Sequence, residues 1–444
     1  MTLRILALFA AGLVSLASAR ALTLEEALAR SLENNPRIQE AKAGLEAAAG
    51  QRLVFRSVAL PVAGIDALAG AQGGKRAGQS SIQPFAFAQG DLRQPLFRAE
   101  IPASLRRGEM ETLLAAQQLN VAVVEQLHQA RTAFYAALYE RSLEELGRSQ
   151  RQRLDENVTS EEARYQAGST DRSALVSATL LARELDPQID ETRRAYGAAL
   201  LQLAAAMGND LAAGASLPKP QGTLDFEPVA FPETETAAAL QRRPDVRLAR
   251  LLVRAAREDE RISAAGYYPR IDLTLFGRYI PATNLRQASS GTATRSDDIV
   301  SSEVAAGAAY TWRVIDNGKV GGAVLQERAL RDINELQLQK LEASVGRELA
   351  ALRNNFRAIA ARHTSLSDAV AAAEKNVAVV EKSRQEGFSS QLDFRTAEAG
   401  LLATRRGILS AAYEQQIALA EWDRATGRYF QFSEPAAKVH IADP

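Results

Sequence analysis

The sequence predicts a mainly α protein with a membrane β component: two long α-helical hairpins and four amphipathic strands in one chain. Three observations predict it. The chain is an internal duplication in which each copy runs from helix through strands to helix. Proline is absent over a stretch long enough for a helix of more than sixty residues. Between the helical stretches the apolar period switches to two, the period of a strand with one apolar face.

The duplication is read from spaced residues. Leu32-x-x-x-Pro36-x-Ile38-x-x-Ala41 recurs 208 positions later as Leu240-x-x-x-Pro244-x-Val246-x-x-Ala249. The same spacing carries Ala47-Ala48 onto Ala255-Ala256, Pro61 onto Pro269, and Ala63, Ile65, Ala67 onto Ile271, Leu273, Leu275. Leu96-Phe97 then corresponds to Val314-Ile315 at a spacing of 218, and Gly168 and Gly208 to Gly387 and Gly427 at 219. The growth in spacing falls between the two strands of the second copy, in Ala282–Asp298, a segment rich in Ser, Thr, Asn and Gly that reads as an exposed loop. Such a period is far too long for a solenoid, so the chain is two similar halves joined by a connector, Asn209–Pro232.

Each half opens on a helix. Residues 22–58 are Ala-rich and begin Thr23-Leu24-Glu25-Glu26, where Thr23 and Glu26 have the spacing of a capping box. From Pro269 onward Ile271, Leu273 and Leu275 alternate with Asp272, Thr274 and Phe276, and Val304, Ala306, Ala308, Tyr310 and Trp312 alternate with Glu303 and small residues. In the first copy Phe85 and Phe87 are out of phase with Leu92 unless Gly90 marks a bulge.

The rods come next. Between Pro102 and Pro187 there is no proline, and Val124, Leu127, Ala130, Phe134 and Leu138 form one apolar stripe. A helix over Ala103–Ala167 is about 98 Å long at 1.5 Å per residue, and Lys319–Glu386 is its counterpart, which implies an elongated molecule. Each rod ends at a glycine, Gly168 or Gly387, suited to a left-handed C-terminal cap. The Ser or Thr that follows, Ser169-Thr170 or Ser389-Ser390, is suited to begin the returning helix.

Other features bound the function. Met1–Arg4, the apolar run Ile5–Leu16 and Ala17-Ser18-Ala19 read as a signal peptide, cleaved after Ala19 or Ala21. Without cysteine there is no thiol for lipid attachment, disulfides or a thiolate metal site. After Leu16 no apolar run suits a spanning helix, so entry into a membrane requires a closed β-barrel. With 53 basic and 53 acidic residues spread along the chain, no nucleic-acid footprint is present. His128, His363 and His440 are isolated, and no P-loop, dinucleotide fingerprint or nucleophile elbow occurs, which argues against an enzyme, a metal site or a cofactor.

Four strands leave two open edges, and the smallest natural membrane barrels have about eight strands. Two or three chains are therefore needed for closure. The repeated Leu-x-x-x-Pro opening, the Tyr267-Tyr268-Pro269 strand entry, the Leu96-Phe97 and Val314-Ile315 exits and the Arg164-Tyr-Gln-Ala-Gly168 turn, taken in order, resemble the TolC family of outer-membrane efflux proteins. The resemblance covers essentially the whole mature chain. It implies a homotrimer with a twelve-stranded β-barrel in outer-membrane lipid above an α-helical barrel in the periplasm. It also implies docking to a periplasmic adaptor and an inner-membrane pump or ABC transporter, as in efflux or type I secretion.

On this reading residues 1–21 are the signal peptide. Residues 22–232 are the first repeat (helix, strands about 60–97, hairpin 103–207, connector). Residues 233–444 are the second (helix, strands about 268–315, hairpin 319–427, C-terminal equatorial tail). The resemblance places adaptor docking at Arg164, Gly168, Ser169, Gly387, Phe388 and Ser389, for which capping alone is the competing account. It matches Asp393 to an aperture aspartate, with Thr396 where a second aspartate is expected and Arg395 between them. In the strands, lipid is expected to meet Leu273, Leu275, Val304 and Trp312, and the lumen Asp272, Thr274 and Glu303. The alternative from another class is a periplasmic coiled-coil adaptor or scaffold, which leaves the four strands without a use.

Overall fold

A computed structural model of the chain describes residues 22–73, 82–209, 217–229, 235–280 and 301–429. The segment read as a signal peptide, residues 282–298, His440 and the residues beyond 429 lie outside them, as do parts of 209–232. The elements in order are α1 (Leu24–Asn34), α2 (Pro36–Ser57), β1 (Val62–Gly73), β2 (Ile82–Phe97), α3 (Ile101–Gln166), α4 (Arg172–Arg183), α5 (Asp186–Ala206), α6 (Glu235–Arg242), α7 (Pro244–Ala264), β3 (Arg270–Ile280), β4 (Ser301–Thr311), α8 (Lys319–Gln385) and α9 (Gln391–Thr426). Long helical hairpins and four antiparallel strands are thus what the periodicities predict. Among the described residues no helix is long and apolar enough to cross a membrane.

Thr23 and Glu26 form the expected capping box at the start of α1. The opening segment is not one helix, however. It breaks at Asn35, whose extended backbone (φ −64°, ψ 123°) is what the ring of Pro36 imposes on the residue before it. The return of the first hairpin is also split: α4 ends at Arg183 and α5 restarts with Pro187 in its first turn, where a missing N–H costs nothing. The second hairpin has no proline there, and α9 runs unbroken for 36 residues. The second copy's last strand ends at Thr311, so Trp312, Val314 and Ile315 lie beyond the sheet, with the Trp312 indole N–H on the Tyr267 carbonyl at 3.2 Å.

The chain forms two compact units, each drawing segments from both repeats. The unit built on residues 22–40, 120–243 and 344–429 has two apolar cores. One gathers Leu154, Leu181, Leu185, Val377, Phe394 and Leu401 from both hairpins. The other gathers Leu22, Phe134, Leu138, Leu203 and Met207. Fully burying each such side chain contributes about 1.5–3 kcal/mol.

The same joint occurs twice in this unit. Asn35, before Pro36, donates from its side-chain amide to the Ala206 carbonyl at 3.0 Å, and Gly208 follows with φ 69°. Arg243, before Pro244, donates to the Ala425 carbonyl at 3.2 Å, and Gly427 follows with φ 72°. A Cβ at Gly208 would run into the backbone of Asn34 and Asn35; one at Gly427 would press on Arg242 and Arg243. Glycine is therefore required at both places by conformation and by space.

The other unit carries the sheet, in the order β1-β2-β3-β4, every neighbour antiparallel. Gly90 pairs regularly with Ile65; the ladder shifts instead between Pro95 and Phe97. Arg98, between β2 and α3, pairs with Asp272 of β3 at 2.9 Å, and α3 pairs with α7 through Arg106 with Glu258 at 2.9 Å and Arg107 with Asp259 at 2.8 Å.

Candidate functional site

The tips of the two hairpins hold the residues singled out from the sequence. Gly168 (φ 72°) turns the chain after α3, where the Gly168 N–H reaches the Tyr165 carbonyl at 3.0 Å and the Ser169 N–H the Arg164 carbonyl at 2.9 Å. Gly387 (φ 84°) does the same after α8, with Phe388 N–H on the Ser383 carbonyl at 2.8 Å. A Cβ at either glycine would meet nothing within 4 Å, so the backbone conformation alone explains the glycine. In the first hairpin the cap of the returning helix is Asp171, not Ser169 or Thr170: its carboxylate accepts from the Ala174 N–H at 2.9 Å. That bond holds the Asp171 pKa below the ordinary carboxylate value.

In the second hairpin Ser390 caps α9, and Asp393 completes the box. The Ser390 hydroxyl accepts from the Asp393 N–H at 3.1 Å, and the Asp393 carboxylate accepts from the Ser390 hydroxyl at 2.7 Å and its N–H at 2.9 Å. These bonds lower the Asp393 pKa. Thr396 turns its hydroxyl back to the Leu392 carbonyl at 2.9 Å. Arg395 points to α4, where its guanidinium donates to both oxygens of Glu184. Phe388, 85% exposed, and Leu392, 68% exposed, are left bare at the tip.

Beneath the tips lies a buried polar layer that sequence reasoning missed. Glu161 on α3, 1% exposed, accepts from Arg164 at 3.0 Å and from the buried Arg384 of α8. Arg384 in turn lies over the Phe394 ring, 5.2 Å from its centroid. Arg164 is thus held inward by Glu161. Further along, Glu398, 4% exposed, accepts from Gln150 and from Arg153, the latter at 3.0 Å. Glu398, Arg395, Glu184 and Arg406 line a groove of about 390 Å³. A readable signal existed: Glu398 lies on the apolar stripe of Phe394, Leu401 and Leu402, where a carboxylate needs partners.

His128 is not isolated in space; its Nε2 lies 3.1 Å from Glu421. With help from Arg424, that contact holds the Glu421 pKa down at about 2. His363 stacks on Phe226 at 3.8 Å. Among the described residues no cluster of His, Cys, Asp and Glu is fit to hold a metal ion.

The second feature is the sheet itself. The register puts Ala63, Ile65, Ala67, Leu92, Leu273, Leu275, Val304 and Ala306 on one face. No charged residue falls on that face within the paired strands. Asp66, Asp91, Arg93, Asp272, Thr274, Arg278 and Glu303 share the other, along with Phe87, whose phase follows the register without a bulge at Gly90. Strands β1 and β4 each have one neighbour and one open edge.

Residues 237–428 match the family described as Outer membrane efflux protein. The fold similarity extends well beyond that stretch. It superposes on the outer-membrane protein VceC of Vibrio cholerae with a TM-score of 0.76 and 19% identity, covering 91% of this chain and 96% of that one. On the CmeC outer-membrane channel of Campylobacter jejuni it gives 0.78 and 15%, covering 94% and 88%. A curated relative, the fusaric acid resistance protein FusA of Burkholderia cepacia, is 34% identical over 132 residues, 29% of this chain. The match spans only a quarter, 25%, of that relative's own length. The fold is that of these solved outer-membrane proteins, and the coiled-coil adaptor alternative finds no support in the comparisons.

Proposed function

We propose that the chain is one subunit of an outer-membrane channel that serves as the passive exit duct of a tripartite efflux pump. The observation that carries the reading is the uncharged face of a four-stranded sheet with two open edges. Strands of 11 to 16 residues are long enough to cross a hydrocarbon core when tilted. In lipid each unpaired edge group costs several kcal/mol, so the edges must meet other copies. Three copies make the twelve-stranded barrel that the family likeness favours over a dimer.

On this reading the residues before Leu22 are removed on export, there is no lipid anchor through cysteine, and the chain performs no catalysis. The energy for transport comes from an inner-membrane pump reached through a periplasmic adaptor. The two repeats, 22–232 and 233–444, each contribute one strand pair and one hairpin. Adaptor docking falls at Gly168, Ser169, Gly387, Phe388 and Ser389, with Arg164 acting from behind through Glu161. Asp393, Arg395 and Thr396 lie at the periplasmic aperture. The partial likeness to a fusaric acid resistance protein supports small toxic molecules as cargo over polypeptides.

The test is fractionation with gel mobility. An outer-membrane species that migrates as an oligomer until heated, and that conducts in planar bilayers, supports the proposal; a soluble periplasmic species overturns it.

A further inference from the structure

We propose that one transverse row on the charged face of the sheet, Asp66, Gln89, Arg278 and Glu303, sets the ion preference of the barrel lumen; the inference rests on the channel reading above. The ladder pairs Asp66 with Gln89, Gln89 with Arg278, and Arg278 with Glu303, so the four side chains stand in line across all four strands. Three of the four side chains are physically joined. The Gln89 amide donates to Asp66 at 3.4 Å and accepts from Arg278 at 3.4 Å. Arg278 is also held over two rings of the same face, 5.9 Å from the Phe87 centroid and 5.6 Å from that of Phe276. Cation–π attraction of this kind keeps the guanidinium spread on the wall.

The charge balance of the row differs from its surroundings. Asp91 lies 3.6 Å from Arg93, and Asp272 is paired with Arg98, so those carboxylates are locally offset. The row holds two carboxylates and one arginine, and Arg278 reaches Asp66 only through the Gln89 amide. Each chain therefore contributes one excess negative charge at this height. Repeated around a closed barrel, the row is a mixed band with a net preference for cations, which Arg278 moderates. Charged rings of this kind select ions by the field they impose on the water-filled lumen.

The experiment is the reversal potential of the full-length assembled channel in planar bilayers under a KCl gradient. At low salt, Arg278→Gln is expected to raise the cation-over-anion permeability ratio by about twofold or more, and Arg278→Lys to restore it. The double variant Asp66→Asn with Glu303→Gln is expected to lower the ratio by a similar factor. Both effects shrink at about 1 M salt, where the screening length is about 3 Å. Conducting channels whose reversal potential is unchanged in both variants overturn the row but leave the channel reading standing. A wild-type protein that forms no conducting species overturns the channel reading itself.

Discussion

Arg395 engages both carboxylate oxygens of Glu184, at 2.7 and 2.9 Å, so the first turn of α9 is tied to the end of α4. The pair joins the returning helices of the two hairpins within one subunit. Both side chains are about half exposed, so the pair contributes only about 0–1 kcal/mol to folding. Its expected effect is on the aperture. Arg395→Ala and Glu184→Gln should each raise resting conductance in planar bilayers, and the double variant should do no more than either alone. Additive increases would mean that the two residues act separately.

Asp393 has two possible duties, and they separate by mutation. As the third residue of a capping box it supports the start of α9, and loss of such a cap costs about 0.5–2 kcal/mol. Ser390→Ala removes the hydroxyl cap and keeps the carboxylate; Asp393→Ala removes the carboxylate with its reciprocal bonds and keeps the hydroxyl cap. If converging carboxylates bind hard cations at the aperture, block by divalent cations from the periplasmic side survives in Ser390→Ala and falls in Asp393→Ala. Equal block in all three proteins assigns Asp393 to capping alone.

The repeated joint sets a third expectation. Gly208→Ala and Gly427→Ala must each strain a left-handed backbone and displace neighbouring backbone atoms. Each is expected to cost more than about 1 kcal/mol and to lower the yield of assembled protein. Gly168→Ala meets no neighbouring atoms and should be milder. Thermal unfolding followed by circular dichroism ranks the three.

Acid stability follows from Glu421. Its pKa, held at about 2 by His128 and Arg424, is depressed below the ordinary value of 4.5. The stabilisation is therefore complete above about 4.5 and is lost as pH falls from there toward 2. Glu421→Gln should lower the melting temperature most above about pH 4.5, where the stabilisation is complete, and so flatten its fall between these pH values. An identical acid slope in the variant would place the acid-sensitive step elsewhere.

The two faces of the sheet yield the last prediction. Leu273→Lys should cost about 2–4 kcal/mol if the residue lies near the bilayer midplane, whereas Thr274→Lys, on the charged face, should assemble normally. Asp272 is unsuitable as the control because it is paired with Arg98. The heat-sensitive oligomer band on detergent gels reports each outcome, and the reverse pattern would exchange the faces.

The helical hairpins and the strands were legible because each is a repeating local pattern, and the left-handed turns because glycine at Gly168 and Gly387 follows a long helical run. The phase of Phe87 was not. Aromatic size suggested an apolar face, whereas the register puts Phe87 beside the guanidinium of Arg278. The break at Asn35 was hidden by an Ala-rich pattern that continues through Pro36, although the proline itself carried the signal. Glu161 and Arg384 lie 223 positions apart, so no local spacing announces their contact. At the start of α9, Asp393 and Arg395 were identifiable as charged residues just after a turn. Their partners, Ser390 and Glu184, needed the packed helices.

The open edges of β1 and β4 have a genetic consequence. A copy with proline in the middle of β4 cannot complete the hydrogen-bond ladder to its neighbour, yet its β1 edge remains able to join. Such a copy would enter a mixed ring and leave it unsealed. Alleles of this kind should therefore be dominant: co-expressed with the normal chain they poison most assemblies, whereas alleles that prevent folding altogether stay recessive.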